Sequence, residues 1–404
     1  MDRHYGLSLL GNQADVFGSL MRIARRTIFM LVVSLSVLAL AATHAPAANK
    51  LLPDQQNHDD SFAVKIDGAG IYSIQARERW KGRRAWLYSI HRFDTLTGKS
   101  RTVYDAGTKL LGDYRVGAGK IVARVFTRPG KLAIVSAPLD GTRSSTILTS
   151  KWKTTRNGGG CGTYLSPSSI SPAGDVVIIS DPIRCNNKTG KRKYLVLRAD
   201  GTRAEVGAEL SDPDQLDGMN DPIHTQLVGN RLLVNDGPAR IYDLATGAMT
   251  VLWTDGVDHA LIAQDGSLWL SAFGAKREGD FWTVLTRAAS PLEPPAALAS
   301  NSGPGEGSAE RYLPLLCGDN VLLARAKIND LADDSDGDLG IFGWYGYLRL
   351  GGRLKLTLFS AQGNAIRSLP GAKMDELDAI GCDAAGVTIA GRDHDRAAYK
   401  RVAF

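Results

Sequence analysis

The residues of this chain that could do chemistry are few and scattered. No G-x-S-x-G nucleophile turn, H-E-x-x-H helix or phosphate-binding loop occurs in its 404 residues. Of seven histidines, His4, His44 and His58 fall near the N-terminus, leaving His91, His224, His259 and His394. Asp221 lies just before His224, and Asp258 just before His259. A His–Asp couple can move a proton or help hold a metal, because the carboxylate orients the imidazole and favours its charged form. The blander reading makes both couples rim residues, so no catalytic residue is assigned and no cofactor is expected.

The acidic stretch 329–338 is a second candidate, since Asp334, Asp336 and Asp338 alternate as the oxygen ligands of a calcium loop do. Such a loop also wants Gly at its sixth position and a distant Glu, and both are missing. A solvated insertion is therefore favoured, and no metal is expected. The four cysteines, Cys161, Cys185, Cys317 and Cys382, form no C-x-x-C pair and have no His at ligand spacing. That disfavours zinc and favours disulfides.

A β scaffold must position these groups. An apolar strand, a Gly-containing turn and a second apolar strand recur at 63–74, 114–125, 168–180, 225–235, 260–271, 313–325 and 377–391. A second hairpin falls between these copies, at 88–104, 133–148, 194–206, 239–253, 282–298 and 356–369. The chain ends in a lone strand, Tyr399 to Phe404. Two hairpins make one four-stranded antiparallel unit, which alone buries only part of its apolar surface. Seven such units packed radially bury both faces. The expected fold is all-β: a single β-propeller of about seven four-stranded blades over 61–404, with the last blade incomplete. A pair of β-sandwiches is the alternative. Residues 48–60 read as a polar lead, too polar for a convincing closing strand.

Ser171-Pro172-Ala173-Gly174-Asp175-Val176-Val177-Ile178 resembles the S-P-D-G-x-x-I-x-F hairpin of TolB-type propellers. Gln264-Asp265-Gly266-Ser267-Leu268-Trp269 does so less closely, and the Gly-His and Trp-Asp signatures of WD-repeat proteins are absent. The resemblance extends over about 60–404 and implies a scaffold that mostly binds partners; it carries over no catalytic residue. Asp94-x-x-Thr97-Gly98-Lys99 and Asp243-x-x-Thr246-Gly247, with Trp253 following, faintly echo the repeat of quinone-dependent dehydrogenases, but in two blades only.

On a propeller the cysteines pair naturally. Cys161 and Cys185 lie twelve residues either side of Ala173, the centre of the third turn, where antiparallel strands face each other. Cys317 and Cys382 end the first strands of neighbouring blades. The expected pairs are Cys161–Cys185 and Cys317–Cys382, with buried free thiols as the alternative. Loops joining second to third strands share a face with the first-strand entries. Those loops hold Arg77, Arg79, Lys81, Arg83 and Arg84 in blade 1, and Arg184, Lys191, Arg192 and Lys193 in blade 3. Lys276 and Arg277 occupy the same loop of blade 5. One face would thus gather much of the positive charge and attract an anionic partner.

Arg22, Arg25 and Arg26 precede an apolar run from Ile28 to Ala42, and Ala45 and Ala47 follow as small residues at a cleavage site. This pattern is a secretory signal cut near Ala47, with Met21 as the natural start and an uncleaved anchor as the alternative. The reading is an exported, monomeric, non-catalytic binding scaffold, secreted or at the cell envelope, with no transmembrane domain after cleavage. Its partner would be an unknown protein or an anionic envelope component, not a nucleic acid. The alternative is a propeller enzyme, a metal-dependent hydrolase or lactonase, with its site at the channel mouth.

Overall fold

Four successive apolar residues, Val176-Val177-Ile178-Ile179, show how this sequence builds strands buried on both sides. Side chains alternate along a strand. Val176 and Ile178 therefore enter one hydrophobic cluster, while Val177 and Ile179 enter the next. Leu232 and Val234 against Leu233 do the same, as do Val321 and Leu323 against Leu322 and Ala324. A strand that must be apolar on both faces belongs to a sheet sandwiched between two others.

The computed structural model describes residues 50–51, 64–80, 84–128, 130–154, 160–183, 191–207, 224–235, 239–253, 257–277, 280–290, 293–304, 310–327, 348–349, 353–393 and 396–404. The N-terminal signal and the aspartates of 329–338 lie outside them. Asn49–Phe404 is one compact unit.

Strand β1 (Lys50–Leu51) opens the described chain. Blade 1 is β2 (Lys65–Asp67), β3 (Gly70–Trp80), β4 (Arg84–Asp94) and β5 (Lys99–Gly107). Blade 2 is β6 (Leu110–Gly117), β7 (Lys120–Arg128), β8 (Lys131–Pro138) and β9 (Ser145–Thr154). Blade 3 is β10 (Gly160–Ile170), β11 (Val176–Ile183), β12 (Lys193–Leu197) and β13 (Arg203–Gly207). Blade 4 is β14 (His224–Val228), β15 (Arg231–Asn235), β16 (Ala239–Asp243) and β17 (Met249–Trp253). Blade 5 is β18 (Val257–Ile262), β19 (Leu268–Arg277), β20 (Asp280–Ala288) and β21 (Ala296–Pro304). Blade 6 takes β22 (Glu310–Cys317) and β23 (Asn320–Lys327), then skips β24 (Leu348–Arg349) to β25 (Lys355–Ser360) and β26 (Ala365–Leu369). Blade 7 is β27 (Glu376–Asp383), β28 (Gly386–Asp393) and β29 (Arg396–Ala403), with β1 on its outer edge and β24 beside β27. All neighbours within a blade run antiparallel, and the seven blades close into a ring with β2, β6, β10, β14, β18, β22 and β27 innermost.

Among the described residues seven hydrophobic clusters occur, one at each blade–blade interface. The smallest joins blades 7 and 1, where Ile71, Phe93, Ala390 and Tyr399 are buried. There Phe93 and Tyr399 meet edge to face at 5.1 Å, a favoured aromatic geometry.

Ring closure differs from the sequence expectation. Lys50 pairs with Tyr399 and Leu51 with Ala398, so the polar lead itself supplies the outer strand of blade 7. An outermost strand has one solvated edge and joins through its backbone, so it needs no apolar run. The last blade is therefore not short of a strand.

The innermost turns come in two forms. Ala118 and Gly119 both take positive φ, 48° and 72°, in the two-residue turn between β6 and β7, the geometry that twisted hairpins favour. Blades 3 and 5 use five-residue loops instead. Ser171 N–H donates to Asp175 O and Gly174 N–H to Ser171 O; Ala263 and Gly266 repeat both bonds. These two loops are the TolB-like segments of the sequence.

Candidate functional site

Bulges on the innermost strands decide which polar groups enter the channel. Four of these strands carry extra residues in their ladders: Gly112 and Asp113 in β6, Ser168 in β10, Asp258 in β18 and Asp378 in β27. A bulge leaves its residue unpaired and re-aims its side chain. The Ser168 bulge also shifts the β10–β11 register by one residue, away from the symmetry about Ala173.

Two of these bulges converge on Arg115. Its Nε donates to Ser168 O at 2.7 Å, and its Nη1 to Asp113 Oδ1 at 2.7 Å and Tyr114 O at 2.9 Å. Thr225 Oγ1 donates to Ser168 Oγ at 2.9 Å and lies 2.7 Å from Ser169 Oγ, tying in blade 4. Lys65 stands close by. Burial and the neighbouring Arg115 charge push its ammonium down to about 8, against the opposing pull of Asp113. Burial alone would raise the Asp113 carboxyl, but Arg115, Lys65 and Arg124 outweigh it and hold that carboxyl below its ordinary value. One carboxylate is thus shared by three cations. Arg124 stands apart in the blade 2–3 interface, its guanidinium 4.4 Å from the Tyr164 ring centroid, a cation–π distance.

A cavity of about 210 Å³ opens beside this group in the channel. Blade 1 contributes Val64, Lys65 and Ile66 to its lining, blade 2 Arg115 and Val116, blade 4 His224, and blade 7 Ala379 and Ile380.

His224 and His259, on neighbouring innermost strands, do come together. Their rings lie edge to face with centroids 5.3 Å apart. Burial drives His224 well below its ordinary value, helped by the charges of His259, Arg115 and Lys65. Burial likewise drives His259 down to about 4. Both imidazoles are neutral at pH 7 and can donate or accept a hydrogen bond. Asp221 and the Asp258 side chain lie outside the described residues. Among the described residues no group of three potential metal ligands occurs.

The expected basic face is only partly described. Arg77 and Arg79 are exposed on β3, two residues apart and so on one side of the strand. Lys191 is exposed too. Arg192, however, is buried and holds Asp181 with both Nε (2.6 Å) and Nη2 (3.1 Å). Lys193 is exposed but pairs with Glu205 at 2.5 Å. Arg192 is therefore neutralised internally, while Lys193 forms an exposed pair with Glu205. Lys81, Arg83 and Arg184, and the side chains of Arg84, Lys276 and Arg277, lie outside the described residues.

Cys317 is bonded to Cys382, joining β22 to β27 across the blade 6–7 interface. Cys161 is also disulfide-bonded; Cys185, its expected partner, lies outside the described residues. The quinoprotein-like segments are turns. Asp94 Oδ1 accepts from Leu96 and Thr97 N–H, Asp243 Oδ1 accepts from Ala245 and Thr246 N–H, and Gly98 and Gly247 take positive φ. The Asp and Gly are there to shape a hairpin loop.

Sequence reasoning missed a set of cationic latches on the face where the innermost turns lie. Arg101 donates to Leu139 O, Lys120 to Gly174 O, Arg198 to Gly229 O, Arg287 to Ala361 O, Arg367 to Ala403 O and Arg401 to Gly68 O. Each reaches a main-chain carbonyl of the next blade, at six of the seven interfaces. At the seventh, between blades 4 and 5, the Gln226 amide exchanges two hydrogen bonds with the Ile262 main chain, at 2.7 and 2.6 Å.

No protein-family model matches the chain, and no curated protein matches it. Among solved structures it is similar to the β-propeller domain of the Trilobed protease from Pyrococcus furiosus (TM-score 0.51, 10% identity, covering 86% of this chain and 94% of that one). It is also similar to Pyrococcus horikoshii acylaminoacyl peptidase (TM-score 0.51, 10% identity, 86% of this chain and 52% of that one). The chain spans about half the length of that peptidase. TolB from Acinetobacter baumannii matches with a TM-score of 0.35 and 13% identity, over 65% of this chain and 62% of that one. At such identities the likeness is one of fold, and it agrees with the sheets: the chain is a seven-bladed β-propeller.

Proposed function

We propose that this protein is an exported, non-catalytic binding scaffold of the cell envelope that engages an anionic partner on the face where its innermost strands begin. The observation that carries this reading is the hairpin of β3 and β4. These strands pair along all eleven residues, whereas β2 pairs with β3 over Lys65–Asp67 only. The hairpin therefore projects past the start of β2 and presents Arg77 and Arg79 from one side of β3. Exposed guanidiniums two residues apart suit recognition of carboxylate or phosphate groups. Export is supported by the inter-blade disulfide, a bond that persists in oxidising compartments.

The test is surface plasmon resonance of purified residues 48–404 over immobilised polyglutamate, at low and at physiological salt. Binding should weaken with salt and fall tenfold or more in the double variant Arg77→Glu, Arg79→Glu. Absence of binding at low salt, or binding unaffected by the double variant, would sink the proposal.

A further inference from the structure

We propose a second, internal site: the channel cavity binds a small apolar monocarboxylate, its carboxylate on Lys65 and Arg115 and its hydrocarbon end against Ile66, Val116 and Ile380. This site lies inside the ring and does not depend on the entry-face reading.

The charge of the ligand follows from the hydrogen bonding. Arg115 commits Nε and Nη1 to Ser168 O, Asp113 and Tyr114 O. Among the described residues its Nη2 and the Lys65 ammonium make no hydrogen bond or ion pair. Two partly buried cations side by side repel each other, and an anion between them relieves that repulsion. Asp113, already bonded to Arg115 Nη1, disfavours a second negative charge, so a carboxylate fits better than a phosphate dianion. His224 also lines the cavity.

Size and polarity follow from the walls. About 210 Å³ equals roughly seven liquid-water volumes at about 30 Å³ each, room for a short acid and too little for a drug-sized molecule. Among the described residues, the lining away from Lys65, Arg115 and His224 is apolar. A branched acid of the size of isovalerate meets both demands, with one charged end and one hydrocarbon end.

The probe is isovalerate, titrated calorimetrically into residues 48–404, with isoamylamine and inorganic phosphate as charge controls. The expected result is one saturable site for isovalerate, none for the amine, and weaker binding of phosphate. Lys65→Met should weaken isovalerate at least tenfold, while Arg203→Ala, an exposed outer-strand change in blade 3, should leave it unaltered. Lys65→Met removes a partly buried charge and keeps an unbranched chain, so the variant should fold; its circular dichroism checks this. Intermolecular Overhauser effects between the isovalerate methyls and the His224 ring or Val116 methyls locate the ligand independently. No saturable heat, phosphate binding as well as isovalerate, unchanged affinity in folded Lys65→Met, or Overhauser contacts elsewhere would each overturn the site.

Discussion

At His259 burial turns directly into a pH dependence. Its folded-state value is about 4, against about 6.5 in the unfolded chain. Between those values the unfolded chain binds a proton that the folded chain does not. Stability is therefore full above about pH 6.5 and declines as the pH falls toward 4, by at most ~1.4 kcal/mol per pH unit for this group. His224 acts in the same direction. The raised carboxyls of Asp67 and Asp378 act in the opposite one. Urea midpoints measured from pH 7 to pH 4 should thus fall less steeply in His259→Gln than in the parent, and equal slopes would contradict the assignment. The His pair was legible in the sequence because both residues stand at the entry to innermost strands, which a propeller brings together. Lys65 and Arg115 were not, since a single cation in a short strand reads as a solvated residue. Nor was Ser168, whose place beside Arg115 comes from a bulge that leaves no mark in composition.

Among the elements, one side chain latches the turn of blade 3 to that of blade 4. Arg198 Nη1 contacts Asp175 Oδ2 and Gly229 O, and Nη2 contacts Asn230 Oδ1, all at 2.9 Å. Burial would raise the Asp175 carboxyl, but the Ala199 amide and the Arg198 guanidinium outweigh it and hold it below its ordinary value. Arg198→Ala removes the cation from a nearly buried carboxylate and should cost roughly 2–3 kcal/mol in urea unfolding. Arg198→Lys should recover only part of this, because one ammonium cannot reproduce the planar fork. A cost below about 0.5 kcal/mol, the range of an ordinary surface change, would mean the latch is ornamental. The hairpins themselves were readable from their turns, since Gly229 and Asn230 mark the β14–β15 turn in the sequence. The latches were not, because Arg198 lies one blade away from the carbonyl it meets. An isolated Arg next to a turn looks like solubilising charge.

For the whole molecule the question is how a ring stays shut. Its seven hairpin repeats were legible as alternating apolar runs, and so was the pairing of the two cysteines that end innermost strands. The seam was not. Lys50 and Leu51 have no strand-like pattern, and their role depends on Tyr399 and Ala398 at the other end of the chain. Among the described residues the outer seam is two residues long and the blade 7–1 cluster is the smallest, and polar ties support the joint. Thr388 Oγ1 and Arg401 Nη1 donate to Gly68 O of blade 1 at 2.9 and 3.4 Å, while within blade 7 Arg401 also grips Asp383 with two contacts of 2.8 Å. One interface away, the Cys317–Cys382 bond spans 65 residues of sequence. Loop-closure arguments put such a link at about 2–4 kcal/mol. The double variant Cys317→Ala, Cys382→Ala should lose that amount, read from urea unfolding with the Cys161 disulfide intact. An unchanged midpoint would show that hydrophobic packing alone keeps blades 6 and 7 together.

The seam at β1 also has a meaning in time. Lys50 and Leu51 leave the ribosome early, and their partners on β29 appear nearly a whole chain later. At about 5–20 residues per second that wait is roughly 20–70 s. Throughout it β1 lacks its β29 partner, and no partial product can acquire this fastening. Only a chain translated through Tyr399 can be sealed, so closure of the ring certifies that synthesis has passed β29.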